Sequence, residues 1–143
     1  MNAFGRRDFV KAMSFLGIAA RVEFPESYDP KANFELQVQE IEYRRTKGGR
    51  SLLARIYQPT GKGPFPTILD LHGGAWNAKD RKAEEPMDRA IASSGVLVVA
   101  VDLTLAPEAP YPACVQDANY AVRWLKTKAG FWMRLHSRIQ LWS

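Results

Sequence analysis

Thr67-Ile68-Leu69-Asp70-Leu71-His72-Gly73-Gly74-Ala75-Trp76 is the stretch whose reading decides the fold of this chain. The run from Thr67 to Leu71 predicts a short strand, and the glycine pair straight after it turns the backbone with no side chain over its amides. Backbone N–H groups placed in this way point into a pocket and hold negative charge, which makes His72, Gly73, Gly74, Ala75 and Trp76 candidate site residues. On this reading the stretch is one half of an acyl-transfer site. The competing reading is a tight turn with no ligand, and Trp76 reads equally as a pocket wall or as core beneath the loop.

Working outward, Phe34 to Arg44 alternates imperfectly, with Pro25 and Pro30 before it and the turn Lys47-Gly48-Gly49-Arg50 after it. Leu52 to Gln58 alternates again and Pro59 ends it, so the two segments predict an antiparallel hairpin at a sheet edge. Downstream, Ala83 to Ser94 predicts a helix with Met87, Ile91 and Ala90 facing inward, stopped by Ser93-Ser94-Gly95. Val96 to Val101 is unbroken Val, Leu and Ala, the pattern of a strand covered on both faces in a parallel sheet. After the proline-rich loop Ala106 to Pro112, a second helix is expected over Ala113 to Lys128, with Val115, Ala118, Ala121, Val122 and Leu125 inward. Arg138 to Trp142 reads as a last strand. Hairpin, strand, helix, strand, helix, strand is the order of an α/β sheet with crossover helices.

A chain of 143 residues, 46% hydrophobic and 24% charged, has material for one domain and one core. The net charge of +5 is spread along the whole chain with no aromatic-interleaved basic stripe, so the expectation is a solvated surface and no nucleic acid. Cys114 is the only cysteine, which excludes an intrachain disulfide and reads as a small buried hydrophobe rather than a nucleophile. At the N-terminus, Gly5-Arg6-Arg7-Asp8-Phe9-Val10-Lys11 is similar to a twin-arginine export motif, followed by a short apolar stretch from Ala12 to Ala20. That stretch is too short to span a bilayer. The other reading is a lid helix with Phe9, Met13, Leu16 and Ala20 on one face, so export and cytoplasmic retention both stay open. Residues 1–33 are an N-terminal extension on either reading, and 34–143 are the domain.

His72-Gly73-Gly74-Ala75-Trp76 resembles the His-Gly-Gly-Gly-[aromatic or apolar] signature of the hormone-sensitive-lipase-like esterases and lipases, with Ala75 at the third glycine. The segment Val101-Asp102-Leu103-Thr104-Leu105-Ala106-Pro107-Glu108, followed by Pro112-Ala113, Asp117 and Trp124-Leu125, resembles the next conserved block of that family in order and spacing. The resemblance covers Phe34 to Trp142. It implies an α/β fold: the amino-terminal part of an α/β-hydrolase sheet, a hairpin followed by mostly parallel strands. It also implies ester substrates and an acyl-enzyme mechanism, with neither metal nor organic cofactor. The N–H groups of Gly74 and Ala75 would form the oxyanion hole, Gly73 would give the turn, and His72 would hold the loop rather than act as base. Asp117 is expected to anchor a loop as a hydrogen-bond acceptor, and Glu84-Glu85 to be a solvated helix start rather than an acid/base pair.

The family mechanism also needs Gly-x-Ser-x-Gly, then an acid, then a histidine. Ile139-Gln140-Leu141-Trp142-Ser143 resembles the approach to that elbow, with Ser143 at its first position and not at the nucleophile. His136 reads as a surface turn. The triad is therefore expected to be absent from these residues, as in a fragment truncated before the elbow. Leu103-Thr104 replaces the usual Tyr-Arg, Gln140 and Ser143 replace glycines, and Gly130 to His136 lacks the expected acidic and proline character, as a decayed or misread gene end would. An esterase or lipase, a non-catalytic fragment or pseudoenzyme, and a small-molecule binding module using the loop as an anion nest all fit. An open sheet edge is expected to favour self-association.

Overall fold

The computed structural model describes residues 29–61, 63, 65–75 and 77–132. Its elements run β1 (Leu36–Arg45), β2 (Ser51–Pro59), β3 (Thr67–Leu71), α1 (Glu85–Ser93), β4 (Leu97–Val101) and α2 (Ala113–Trp132). The expected lid helix, the strand at Arg138 to Trp142, and Trp76, His136 and Ser143 lie outside the described residues.

The strands form one mixed sheet in the order β1-β2-β4-β3. β1 pairs antiparallel with β2 and β2 antiparallel with β4, whereas β3 and β4 run parallel with Leu71 opposite Val101. The expected hairpin is present, and β3 and β4 are parallel strands joined by α1 as a crossover helix. β1's imperfect alternation has a physical cause. Leu36 and Val38 pack with the α1-side cluster around Tyr57, Val98 and Ala100, while Ile41 and Tyr43 pack with the α2-side cluster around Leu52, Ile56, Val99 and Val101. A strand covered on both faces carries apolar residues of both parities. A register shift between Glu42 and Arg44 falls at Tyr43, which is buried.

α1 and α2 therefore cover opposite faces, and β4 between them is buried at Val98, Val99, Ala100 and Val101. Two helix-face expectations need correction. In α1 the buried residues are Asp88 and Ala92, while Met87 is 48% exposed and Ala90 is also exposed. The residue one turn before Ala92 on the sheet-facing line is acidic, so counting apolar residues selects the neighbouring line. In α2, Ala121 is buried and Ala118 and Leu125 pack against the core as expected, but Val115 is 41% exposed. It sits on the flank of the helix toward β3, where no described residue covers it. α2 also continues past Lys128 to Trp132.

Candidate active site

β3 delivers the chain to His72, which is 6% exposed. Its Nδ1 lies 2.8 Å from the carbonyl oxygen of Gly73. A carbonyl only accepts, so Nδ1 carries the proton and donates, fixing the ring against the loop it precedes. Nε2 is buried with no partner among the described residues.

Beyond His72 the backbone enters the left-handed region at Gly74 (φ 103°), Ala75 (φ 50°) and Lys79 (φ 74°). Gly74 is required twice over: by its φ, and because a Cβ there would fall on the carbonyl oxygen of Ala78. Gly73 has open space around it. Ala75 holds a left-handed conformation despite its Cβ, at a cost of about 1–2 kcal/mol. Asn77 donates its N–H to the Gly74 carbonyl at 3.2 Å, closing the turn. None of the hydrogen bonds among the described residues uses the N–H of Gly73, Gly74 or Ala75.

A cavity of about 530 Å³ opens beside this loop. It is lined by His72, Gly73 and Ala75 of the loop together with Leu103, Cys114 and Val122. Its walls are mainly apolar, so it suits a hydrocarbon group better than a charged one. Cys114 is thus half-buried at a cavity wall rather than sealed in the core.

The surroundings of the loop are heavily charged. Asp102, at the end of β4, accepts from the N–H groups of Leu53 and Arg81 and from the Arg81 guanidinium. Arg81 reaches on to Glu40, whose carboxyl is held down to about 2 by Arg81 and then by Arg55. Glu85 pairs with Arg55 and Arg89, so it is an ion-paired helix start rather than a merely solvated one. Asp117 accepts from the Thr104 N–H at 2.7 Å and pairs with Arg44 at 2.7 Å. It anchors the loop after β4, as expected from its sequence position. Asp88 is fully buried with neither oxygen bonded among the described residues, and burial, together with the charge of Asp70, raises its pKa to about 6. Asp70 is raised too, by burial and by Glu84.

His72, Gly73, Gly74 and Ala75 lie in one loop straight after β3. Asp102 stands in the segment that carries the family resemblance, directly after a buried strand, but no spacing rule connects it with Arg81. Among the described residues no group of His, Cys, Asp and Glu is arranged to hold a metal ion, and no helix is long and apolar enough to cross a membrane.

A family model described as BD-FAE matches residues 55–143, more than half of the chain. The chain belongs to the BD-FAE family. Its relatives place that family membership among the hormone-sensitive-lipase-like α/β-hydrolases. Carboxylesterase NlhH of Mycobacterium tuberculosis is 36% identical over 100 residues, covering 66% of this chain and 30% of NlhH. Hormone-sensitive lipase of Bos taurus is 32% identical over 81 residues, covering 56% of this chain and 11% of the lipase. Among solved structures, esterase LipW of Mycobacterium marinum superposes with a TM-score of 0.59 at 28% identity, over 68% of this chain and 31% of LipW. A bacterial heroin esterase superposes with a TM-score of 0.64 over 93% of this chain and 40% of its own, and at 21% identity it shares the fold alone. This BD-FAE chain thus spans less than half the length of each of these relatives.

Proposed function

We propose that these residues supply the oxyanion half of a serine-type carboxylic ester hydrolase acting on short acyl esters. The observation that carries the reading is the left-handed loop at Gly74 and Ala75, whose N–H groups have no hydrogen-bond partner among the described residues, beside an apolar cavity of about 530 Å³. In this reading the N–H groups of Gly74 and Ala75 receive the oxyanion of the tetrahedral intermediate, with Gly73 giving the turn. Each such donor is typically worth about 2.7–4 kcal/mol of transition-state stabilisation. His72 holds the loop through its bond to Gly73, Trp76 follows as loop support or pocket wall, and the apolar cavity takes the acyl chain. The esterase and lipase names of the relatives support this reading.

In this reading the nucleophile, acid and base are not among these 143 residues, and we read these residues alone as inactive. Right-handed crossover supports where the nucleophile would enter. β3 reaches β4 through α1 on one face, so a strand following β4 through α2 on the other face returns to the open side of β3. That edge lies beside the His72 loop, and it is also where the isolated chain would self-associate. Residues 1–33 are read as a lid or an export leader.

The test is the intact mass of the native polypeptide from its host, followed by hydrolysis of p-nitrophenyl butyrate. A species well above 16.1 kDa whose hydrolysis is abolished by a serine-directed phosphonate supports the reading. A species at 16.1 kDa that hydrolyses the ester without forming a phosphonate adduct overturns the serine mechanism. A species of that size with no hydrolysis is the non-catalytic fragment.

A further inference from the structure

Among the described residues from Gly74 to Lys79, three are left-handed, and two of them carry a Cβ. Conformations of this kind persist only where the surroundings over-determine them. Upstream, the loop is held by the pairing of Leu71 with Val101 and by the His72 bond to Gly73. Downstream, the Lys79–Glu84 ion pair joins side chains that are 49% and 37% exposed, and exposed pairs hold little.

The first buried hold after the loop is Arg81. Its N–H donates to Asp102 Oδ1 at 3.1 Å, and one guanidinium nitrogen donates to both Asp102 oxygens at 3.3 and 3.1 Å. The rest of the fork grips Glu40 at 3.1 and 2.8 Å. The Arg81 and Asp102 side chains are 13% and 8% exposed, so water competes poorly for these bonds. Asp102 is itself fixed from three strands. Its N–H donates to the Leu53 carbonyl of β2 and its carboxylate accepts from the Leu53 N–H, its carbonyl accepts from Tyr43 of β1 at 2.6 Å, and it directly follows β4.

We infer that Arg81 and Asp102 are positioning residues for the His72–Ala75 loop: their clamp fixes the downstream end of the loop and so keeps Ala75 left-handed. Without the clamp the next anchor is the start of α1, and the longer free segment lets Ala75 and Lys79 relax to ordinary right-handed or extended backbone. The consequence for ester chemistry rests on the function proposed above; the clamp itself does not.

The experiment is NMR of the full 143-residue chain labelled with ¹³C and ¹⁵N, reading the sign of φ at Ala75 from its ¹³C shifts and its amide-to-Hα coupling. R81Q is expected to lose the left-handed signature at Ala75 while the amide resonances of Val98 to Val101 stay in place. R81K, which keeps the charge but not the fork, is expected to lose it as well. E40Q, which leaves Asp102 untouched, is expected to retain it. A left-handed Ala75 in R81Q overturns the inference, and if R81Q does not fold, a left-handed Ala75 in R81K does so. A clamp-dependent signature together with no ester hydrolysis by the native polypeptide would keep the clamp and discard the esterase reading. Hydrolysis with a clamp-independent signature would do the reverse.

Discussion

Gly74 and Ala78 lie so close across the loop that a Cβ on Gly74 would clash with the carbonyl oxygen of Ala78. G74A therefore has no unstrained solution: the clash is with backbone, and φ is 103° besides. We expect a stability loss of about 1–3 kcal/mol in urea titration, the range typical of forced backbone strain. In the ester-hydrolysing polypeptide it should lower kcat by about 10²–10³, the effect of losing one oxyanion donor. Full activity in G74A would show that the loop holds no oxyanion.

Asp88 makes the stability of the chain depend on pH in an unusual direction. Its carboxyl rises from 3.8 to about 6 on folding, so the folded state binds the proton more tightly than the unfolded state. Stability is then greatest below the unfolded value and falls as pH climbs through 6. D88N removes this penalty and should be more stable than wild type at pH 7.5 by about 1–3 kcal/mol, with the difference vanishing toward pH 4. Thermal melts across that range check it. Glu40 acts oppositely: its lowered carboxyl stabilises above its unfolded value, and that contribution is lost as pH falls toward 2.

Replacing Asp117 by alanine leaves the Thr104 N–H and the Arg44 guanidinium without their acceptor. Removing one partner of a buried pair typically costs about 3–5 kcal/mol. Asn keeps an acceptor for Thr104, so D117N should cost less than D117A in the same denaturant titration. Equal losses would mean that the hydrogen bond to Thr104 contributes nothing.

Leu71 ends β3 at 45% exposure, on the side of the sheet where no described strand pairs with it. A lysine there blunts an open edge. Sedimentation velocity on L71K should show a shift toward monomer relative to wild type at equal concentration. An unchanged distribution would place self-association elsewhere.

The site loop was legible because its signal is local: a strand, a histidine and a glycine pair need only neighbouring residues to declare a turn with bare amides. β4 was legible because burial on both faces leaves an unbroken apolar run from Val96 to Val101. The helix faces were not fully legible. Met87 is apolar and exposed, and Asp88 is charged and buried, because the line facing the sheet is set by how α1 crosses β2 and β4 rather than by hydrophobicity alone.

By itself, then, the sequence determined the strands and helices of the described residues, their α/β order, and the glycine turn that follows β3. Those are short-range decisions, governed by periodicity and by the conformational freedom of single residues. Only the tertiary structure decided that Arg81 closes on Asp102, that Tyr43 reaches the Asp102 carbonyl, and that Asp117 anchors Thr104 from α2. Those partners are distant in the chain, and it is the register of the sheet and the crossing of the helices that bring them within hydrogen-bonding distance.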